Sequence, residues 1–424
     1  MIQRLVCALL LISPSLAIAD QPNIILIFAD DVGQEVLGCY GGESYKTPHL
    51  DALAAEGMRF DHCYSMPSCH PSRICLMTGQ YPAELGNPKW GTFPNELEHQ
   101  TFAAMLQQAG YATAIAGKWQ LGLMKHDLQQ PARLGFDEWS LFGWHEGPRY
   151  HEPMIYENGK LREDTKGKYG PDLYVQFLID FIRQNRQKPF LAYYSMALCH
   201  DVTDDLEKPV PYGPDGHWLT YEEMANDMDH QVGKLITALD DMQLRDNTLI
   251  LFTTDNGTAS GSYFKHENGR LIRKSVFSKF HGRLVRGGKG GLTDRGTRVP
   301  LIANWPGKIS PGTRSDQLVD LSDFIPSLAE LAGIRWPGNS TINGHSFVPS
   351  LYGKVSPRSW AYSEDGAGRQ FVRTQDYKLY SDGRFYHMAD DADEKSQLTD
   401  TQLSAKQQAV KETLQQALDS IVKP

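Results

Sequence analysis

Adjacent polar residues at two places in the sequence could hold a metal ion. Asp30 and Asp31 directly follow one apolar run, and Asp255 and Asn256 follow another. Two neighbouring carboxylates repel each other unless a cation lies between them, although a solvated acidic turn is the ordinary alternative. The four side chains offer only hard oxygen donors, which suit Ca²⁺ or Mg²⁺ better than zinc or copper. The residue types therefore predict a site for a divalent cation.

The segment 69–79, Cys-His-Pro-Ser-Arg-Ile-Cys-Leu-Met-Thr-Gly, places a small nucleophile just ahead of a predicted helix. Pro71 suits the first position of a helix, because it has no amide hydrogen to satisfy and its φ is already set. Free N–H groups at the helix start would face an anion that meets Cys69. Arg73 adds a forked cation for tetrahedral oxyanions. For Cys69 taken alone, a buried cysteine before an ordinary helix is the alternative.

Strand-like and helical segments alternate along the chain. This pattern predicts an α/β fold with a large, mostly parallel sheet sandwiched by helices, in which ligands bind beyond the carboxyl ends of the strands. The strand-like runs are 23–29, 111–116, 189–195 and 248–254, and the helical patterns are 47–57, 101–110, 171–187 and 221–242. The polar residues expected to gather along one edge of the sheet are Asp30, Asp31, Lys118, His200, Asp255 and Asn256.

The pattern Cys-x-Pro-Ser-Arg-x-x-Leu-x-Thr-Gly resembles the signature of the type I sulfatases. The resemblance extends from Asn23 to residues 376–378 and implies an alkaline-phosphatase-like fold. It implies that a formylglycine-generating maturation enzyme oxidises Cys69 to formylglycine (3-oxoalanine). The ligands that it implies for one divalent ion, usually Ca²⁺ and less often Mg²⁺, are Asp30, Asp31, Cys69, Asp255 and Asn256.

Three further residues match the positions that bind sulfate in this family. Lys118 lies in Gly-Lys-Trp, His200 follows the run 189–195, and Lys289 lies in Gly-Gly-Lys-Gly. With Arg73, the two lysines would stabilise charge on a departing group. The resemblance implies that one hydroxyl of hydrated formylglycine attacks sulfur and that deprotonation of the other expels sulfate. His200 is the candidate acid for the leaving alcohol, with Lys289 as a candidate helper.

The chain departs from the family at Gln120. The usual Gly-Lys-Trp-His-Leu-Gly reads Gly-Lys-Trp-Gln-Leu-Gly here, and the family histidine is implicated in the last deprotonation. Glutamine can hydrogen-bond to a hydroxyl but cannot accept its proton near neutral pH. Slower turnover, a substitute base and altered chemistry are open outcomes. We predict that His70, beside Cys69, is the substitute base, with His126 as the second candidate.

Two segments are candidate substrate surfaces. Residues 258–289 carry eight Lys and Arg residues against a single Glu, which predicts a rim for a polyanion, with a mobile solvated loop as the alternative. Aromatic residues within 139–151 could stack on sugar rings, with buried packing as the alternative. The predicted substrate-binding residues are His70, Gln120, His145, Arg149, Arg283 and Arg286.

The sequence predicts three segments. Residues 1–19 have the charged start, apolar run and Ala-Ile-Ala cleavage site of a signal peptide, which predicts an exported protein, periplasmic or secreted. Residues 20–354 form the predicted catalytic domain. Residues 355–424 form a predicted C-terminal α+β subdomain, with a small antiparallel sheet and a terminal helix over 404–422.

The composition excludes several classes of protein. The chain has 424 residues with 42 Lys and Arg against 51 Asp and Glu, and this acidic balance argues against general nucleic-acid binding while leaving a local basic groove open. Beyond the signal peptide no apolar segment is long enough to insert into a membrane. The six cysteines lack the paired spacing of a zinc site and are too few for a disulfide scaffold.

These features together predict an exported, calcium-dependent sulfatase that acts on a sulfated carbohydrate. The basic segment and the export signal favour a polysaccharide or its oligosaccharides over a small aryl sulfate. A phosphonate or phosphate ester hydrolase of the same superfamily would share the fold and the single-metal site. A non-catalytic binder of sulfated glycans is the other alternative, and only Gln120 favours it.

Overall fold

The computed structural model describes residues 21–201, 218, 220–267, 270–334 and 341–421. The predicted signal peptide lies outside the described residues. Within them, no helix has both the length and the apolar character needed to cross a membrane. The five cysteines in the described ranges form no disulfide.

The described chain forms eighteen strands and ten α-helices. The strands are β1 (Asn23–Ala29), β2 (Met58–Tyr64), β3 (Ala112–Gly117), β4 (Glu138–Phe142), β5 (Ile155–Glu157), β6 (Lys160–Leu161), β7 (Phe190–Ser195), β8 (Thr248–Thr254), β9 (Gly261–Glu267), β10 (Arg270–Ser275), β11 (Phe277–Phe280), β12 (Arg283–Arg286), β13 (Arg298–Asn304), β14 (Thr313–Asp320), β15 (Ala361–Glu364), β16 (Gln370–Arg373), β17 (Tyr377–Tyr380) and β18 (Phe385–His387). The helices are α1 (Pro48–Ala55), α2 (Cys69–Thr78), α3 (Phe102–Gln108), α4 (Gln130–Arg133), α5 (Gly170–Asn185), α6 (Tyr221–Asp241), α7 (Asp294–Thr297), α8 (Phe324–Leu331), α9 (Val348–Leu351) and α10 (Ala405–Ile421).

One ten-stranded sheet organises the chain, in the order β14-β2-β13-β8-β1-β7-β3-β4-β5-β6. The central strands β8, β1, β7, β3 and β4 run parallel to one another, whereas β13 is antiparallel to both of its neighbours. The predicted α/β fold with a large, mostly parallel sheet is therefore confirmed. The carboxyl ends of β1, β7, β3 and β8 meet at one edge of this sheet.

The apolar run of β1 is buried on both faces, which explains its unbroken hydrophobicity. Alternate side chains point to opposite faces of a strand. Ile24 and Leu26 accordingly belong to the core layer that contains residues of α3 and α8, and Ile25 and Ile27 to the layer that contains residues of α5 and α6. Helices thus cover both faces, as predicted.

Helix α2 begins two residues earlier than predicted. Ser68 is the N-cap, so Cys69 is the first helical residue and Pro71 the third. Proline is tolerated there because the first amide groups of a helix have no intrahelical acceptor. Cys69 therefore lies in the first turn of α2 and not ahead of it.

The C-terminal segment forms the expected small antiparallel sheet, which has the four strands β15–β18, and the expected terminal helix α10. Leu414 and Leu418 of α10 belong to the same hydrophobic core layer as Leu26 of β1. Buried Arg358 forms ion pairs with Asp320 and Asp323 at the end of β14. This subdomain therefore packs firmly on the large sheet, while its predicted boundary at residue 354 stays a prediction.

We expect Glu364→Gln to reduce the pH dependence of stability. Glu364 is buried on β15 and accepts a hydrogen bond of 2.7 Å from the Ala83 amide, and burial raises its pKa from 4.5 to about 7. The folded chain then binds a proton that the unfolded chain releases, so the free energy of unfolding falls as pH rises from 4.5 to 7. Between pH 5 and 8, wild type should lose about 2 kcal/mol relative to the variant in urea unfolding.

The matched control for this prediction is Glu96→Gln, which alters an exposed carboxylate. Its unfolding free energy should follow that of wild type across the same pH range. A Glu364→Gln profile parallel to wild type would show that Glu364 is charged in the folded protein throughout.

Candidate active site

Three buried carboxylates and one thiol meet at the edge where β1 and β8 end. Asp30 and Asp31 follow β1, and Asp255 follows β8, which is its parallel neighbour. The Asp31 amide donates to Asp255 Oδ1 at 3.2 Å, and the thiol of Cys69 donates to Asp30 Oδ1 at 3.3 Å. Ligand atoms of these four residues all lie within 4.8 Å of one another. The structure thus brings together the residues that the sequence placed far apart.

Asn256 completes an arrangement of oxygen donors that fits a divalent ion. Its Nδ2 donates to Asp31 Oδ1 at 2.8 Å, and its buried Oδ1 has no hydrogen-bond partner among the described residues. A buried, unpartnered acceptor is costly unless something binds it. Three carboxylates beside such an oxygen form the donor set that Ca²⁺ and Mg²⁺ prefer.

Three cations pair with these carboxylates, and Arg73 additionally lies 3.7 Å from Asp30 Oδ2. Lys118 and Arg73 are fully buried, whereas the side chain of Lys289 is 23% exposed. The pairs are Lys118 with Asp30, Arg73 with Asp255 at 2.7 Å, and Lys289 with Asp31 at 2.7 Å. Arg73 also donates to the Ser195 hydroxyl at 2.5 Å. Its fork, which the sequence assigned to an oxyanion, is thus engaged by protein groups.

Crowding of the carboxylates is visible in their pKa values. Burial alone would raise the pKa of Asp30, but the surrounding cations, led by Lys118, hold that pKa well below its usual range. Burial raises the pKa of Asp31 more than Lys289 lowers it. Burial and the charge of Asp30 raise the pKa of Asp255 to about 6. Additional positive charge would therefore be favoured at this position.

Backbone hydrogen bonds hold the loop after β7 against the end of β1. The Asp30 amide donates to the Leu198 carbonyl at 2.9 Å, and the Cys199 amide donates to the Asp30 carbonyl at 2.5 Å. The buried Tyr150 hydroxyl lies 2.6 Å from the His200 carbonyl oxygen. These contacts fix the backbone on which the His200 side chain is mounted.

From this loop, His200 reaches the group formed by Asp30, Asp31, Cys69 and Asp255, which we name the catalytic cluster after its proposed role. One ring nitrogen, the Cys69 sulfur and a carboxylate oxygen of Asp30 lie within 4.8 Å of one another. Nδ1 contacts the Asp201 carbonyl oxygen, which can only accept, so Nδ1 carries the hydrogen and Nε2 is the nitrogen with the acceptor lone pair. Burial, with the charge of Lys289, lowers the pKa of His200 well below its ordinary value. The imidazole is therefore neutral in this arrangement.

Gln120 is buried just after β3, and His70 is buried in the first turn of α2. Gln120 adopts a left-handed backbone conformation with φ of 60°, and its buried Oε1 finds no partner in the part of the chain that the structure describes. His70 Nε2 lies 2.9 Å from the Thr92 carbonyl. Because a carbonyl can only accept, Nε2 carries the hydrogen, and only Nδ1 of His70 can take up a proton. Burial lowers the pKa of His70 to about 4, so Nδ1 is a weak base. His126 is exposed.

An aromatic group that the sequence did not predict in full extends from His200 to the surface. The Trp144 ring lies 5.8 Å from that of His200 and 4.7 Å from Lys118 Nζ. Trp90 lies 5.6 Å from Trp144 and 4.6 Å from His145, and it is 41% exposed. Sequence reasoning missed Trp90. The sequence feature that could have identified it is the position of this tryptophan within the Gly- and Pro-rich stretch 86–94.

The other aromatic residues of the segment 139–151 are buried packing, as the alternative interpretation held. Trp139, Phe142 and Tyr150 belong to the two core layers. Arg149, predicted to bind substrate, is itself buried, with its guanidinium 4.4 Å from the Trp144 ring centroid and 4.9 Å from that of Phe142. Its role in binding substrate stays a prediction.

The basic segment forms two antiparallel hairpins, β9–β10 and β11–β12, in place of an open loop. Lys289, which follows them, joins the carboxylates. Exposed Arg283 binds Asp393 at 3.0 Å, and Arg286 Nε donates to the Ser260 carbonyl at 3.3 Å. Among the described contacts, Lys289 binds a carboxylate of the catalytic cluster, whereas Arg283 and Arg286 contact other parts of the chain.

Comparison with known proteins agrees with this geometry. A protein-family model described as Sulfatase matches residues 22–334, and one described as N-sulphoglucosamine sulphohydrolase, C-terminal, matches residues 289–423. Human arylsulfatase A is 34% identical over 411 residues, which cover 88% of this chain and 77% of that relative. Human N-acetylgalactosamine-6-sulfatase is 32% identical over 362 residues, which cover 78% of this chain and 66% of the relative. The chain thus spans about two thirds of the latter enzyme's length.

Solved structures share the fold. The crystal structure of Ps i-CgsB has a TM-score of 0.75 and 25% identity, and the match covers 94% of this chain and 92% of that one. The structure of BT4656 in complex with D-glucosamine-2-N,6-O-disulfate has a TM-score of 0.71 and 24% identity over 95% of this chain and 98% of that one. The chain therefore belongs to the sulfatase family of sulfuric ester hydrolases, as its motifs predicted.

Proposed function

We propose that this sulfatase removes sulfate from a sulfated carbohydrate, using formylglycine made from Cys69 and one bound Ca²⁺. The observation that carries the proposal is the position of Cys69, in the first turn of α2 and within 4.8 Å of three buried carboxylate ligand atoms. Burial and the charges of Asp255 and Asp30 raise the pKa of the thiol well above its usual value. Because a protonated thiol is a poor nucleophile, oxidation of Cys69 to an aldehyde by the maturation enzyme, followed by addition of water, would place a hydroxyl nucleophile at the same position.

The proposed ion would be held by Asp30, Asp31, Asp255, Asn256 and the modified Cys69. When bound, it would polarise an oxygen of the sulfate ester as a Lewis acid. With the carboxylates engaged in this way, one of the protein cations that now bind them would be available to face the substrate. Lys289 is the best candidate for this role, because it is the most exposed of the three cations.

We assign proton transfer to the leaving alcohol to His200. Its Nε2 is the nitrogen that can take up and deliver a proton, since Nδ1 donates to the Asp201 carbonyl. A sulfate ester placed beside His200 would add negative charge, which raises the pKa of a histidine. The imidazolium could then protonate the leaving oxygen. Lys118 and Arg73 would act as positioning residues, because both are buried against the carboxylates that they bind.

Gln120 and His70 would divide the role of the usual family histidine. The unpartnered Oε1 of Gln120 can accept a hydrogen bond from a hydroxyl at residue 69, and His70 Nδ1 is the proposed base.

We expect His70→Ala to lower steady-state sulfate release about tenfold, less than the 10²–10⁴ typical of a general base, because burial has lowered the pKa of His70 to about 4. His126→Ala, which alters an exposed ring, is the control. Equal rates for both variants and wild type would remove His70 from the mechanism.

A carbohydrate is the proposed substrate class for two reasons. Relatives with similar sequence or fold include one named for a sulfated sugar and one solved with a disulfated glucosamine. In this chain, the exposed ring of Trp90 beside His145 offers a stacking surface that leads toward His200. Aromatic faces of this kind suit the apolar faces of sugar rings.

The experiment that tests the function measures sulfate release from a panel of sulfated oligosaccharides, after expression with an active formylglycine-generating enzyme. Matched phosphate esters and a small aryl sulfate are included. We expect release from at least one oligosaccharide, at a higher kcat/KM than from the aryl sulfate. Faster hydrolysis of the phosphate esters would assign the chain to phosphate ester chemistry, and release from the aryl sulfate alone would overturn the carbohydrate assignment.

We expect Trp90→Ala to raise KM for the preferred oligosaccharide about tenfold, with a smaller change in kcat. Loss of one stacked ring corresponds to about 1.4 kcal/mol. Tyr352→Ala removes another exposed aromatic ring, 49% exposed and on the loop after α9, and should leave KM unchanged. An equal fall in kcat with constant KM would instead place Trp90 in the chemical step.

A further inference from the structure

A cavity lies outside the catalytic cluster. It is bounded by the side of the large sheet formed by β2, β13 and β14 and by the hairpin β11–β12. Its volume is about 420 Å³, within the range of pockets that hold small ligands. The rings of Tyr40 and Phe280 form part of its wall. Five guanidinium groups also line it, from Arg59, Arg283, Arg295, Arg298 and Arg314.

On one side of the cavity, three arginines surround a single carboxylate. Arg314 binds Asp61 Oδ2 at 2.7 Å. Arg59 Nε lies 3.3 Å from Asp61 Oδ1 but makes no hydrogen bond to any described group. Arg298 donates to the backbone carbonyl of Asp61, at 2.8 and 2.6 Å. Two of these three charges therefore lack a hydrogen-bonded carboxylate within the described chain.

On the other side, three cations share Asp393. Arg295 binds its Oδ1 at 2.6 Å, and Arg283 and Lys395 bind its Oδ2 at 3.0 Å each. One carboxylate can neutralise only one of these charges. The positive charge at this end of the cavity is therefore in excess as well.

The remaining carboxyl groups of the cavity do not neutralise this excess positive charge. Asp294 Oδ1 is already bound by Arg373 at 2.6 Å, and Arg298 lies 3.6 Å from its other oxygen. Glu35 is buried, and burial raises its pKa. A partly enclosed group of arginines with too few carboxylates favours binding of an external anion.

Arg295, which lines the cavity, packs directly on two glycines that neighbour residues of the candidate active site. Gly257, next to the metal ligand Asn256, packs so closely that an added Cβ would lie 1.9 Å from the Arg295 carbonyl oxygen. Gly288, next to Lys289, packs on Arg295 in the same way. Glu35 follows Asp31 by four residues, so the two Cα atoms are at most about 15 Å apart. Neighbouring groups of one extended ligand could occupy both sites.

We propose that this arginine-lined cavity binds a second oxyanion, a sulfate or carboxylate group of the same glycan whose reacting sulfate ester meets residue 69. The inference rests on the proposed function, because it takes the ligand to be a sulfated carbohydrate. Guanidinium forks bind such oxyanions in a bidentate manner, and the Tyr40 and Phe280 rings could contact the sugar that carries the group. The enzyme would then prefer glycans with more than one anionic group.

The test compares two double variants in a Cys69→Ala background, so that binding is measured without turnover. Arg295→Gln with Arg314→Gln removes two cavity charges, yet Asp393 keeps Arg283 and Asp61 keeps Arg59, which favours normal folding. Arg183→Gln with Arg186→Gln removes two exposed charges, one in the last turn of α5 and one just after its end, and is the matched control. Calorimetry is performed with a heparin hexasaccharide and, separately, with inorganic sulfate, and thermal unfolding checks that each variant is folded.

We expect the cavity variant to bind the hexasaccharide at least tenfold more weakly than the control variant, which corresponds to the loss of about one charge-assisted hydrogen bond. Weaker binding of inorganic sulfate alone would assign the same oxyanion chemistry to free sulfate and overturn the link to the glycan. Equal affinities in the two double variants would overturn the proposal. Failure of the proposed function is distinguishable, because it appears as absent sulfate release by the parent chain and not as a change in binding.

Discussion

Replacement of Cys69 by alanine is expected to lower sulfate release by about 10⁵-fold or more. Loss of a covalent nucleophile typically removes most of the catalysis that a site provides. Every other charged group of the cluster would remain in place, because the thiol makes only hydrogen bonds to Asp30 and Asp31, at 3.3 and 3.8 Å. The loss should therefore appear in kcat, with the affinity for substrate largely retained.

The matched control is Cys75→Ala. Cys75 lies on the same helix and is also fully buried, so both variants remove one buried sulfur from α2. We expect Cys75→Ala to keep activity within a few-fold of wild type at a slightly lower Tm. Comparable losses in the two variants would indicate damage to α2 in place of loss of a nucleophile.

Mass spectrometry of the proteolytic peptide that contains Cys69 makes the test specific to the modification. The active enzyme should carry the aldehyde at residue 69, and activity should scale with the converted fraction across preparations. Full activity in a preparation whose Cys69 remains a thiol would refute the formylglycine proposal, while leaving membership of the sulfatase family untouched.

The parts of the site that lie on buried strands could be predicted from the sequence. The runs of β1 and β8 are apolar on both faces, so the positions where polarity returns, Asp30 and Asp255, mark the ends of strands. Parallel pairing then brings these ends together without further information. The same reasoning placed Lys118 and His200 at this edge.

Residues brought together by long-range packing were not predictable. Trp90 meets Trp144 across more than fifty positions of sequence, and nothing in its local pattern indicates that contact. Arg59 on β2 and Arg314 on β14 lie on strands of mixed polarity, which the apolar-run criterion does not detect. The charge of the segment 258–289 predicted a cationic rim but not its two hairpins, because β-hairpins with exposed polar faces lack a hydrophobic signature.

Metal binding is expected to raise the stability of the protein and to be required for activity. Addition of Ca²⁺ to chelator-treated enzyme should raise the free energy of unfolding by about 2.7 kcal/mol at one hundred times the Kd. The physical reason is the crowding of Asp30, Asp31 and Asp255, whose negative charges are fully buried. A divalent ion would also engage the unpartnered oxygen of Asn256.

Asp31→Asn is the variant that separates this effect from nonspecific binding. It preserves the shape of the side chain but removes one charge and one strong ligand, and it leaves Lys289 without its carboxylate partner. We expect the Ca²⁺-dependent rise in Tm to disappear and sulfate release to fall about 10³-fold, because Lewis-acid stabilisation contributes several kcal/mol. Asp316→Asn, at an exposed position on β14, should show the full Ca²⁺ response.

The identity of the ion follows from the same titration. Ca²⁺ accepts six to eight oxygen ligands in flexible geometry, whereas Mg²⁺ requires a compact octahedron and keeps its waters. We propose Ca²⁺, the ion that the resemblance to the type I sulfatases implies. A larger Tm increase with Mg²⁺ than with Ca²⁺ at equal concentration would reverse that assignment, and no increase with either ion would contradict the proposed metal site. Retained activity after complete chelation would exclude a metal-dependent reaction, and stabilisation of the departing sulfate would then fall to the protein's own cations, with Lys289, the most exposed of the three that bind the carboxylates, as the first candidate.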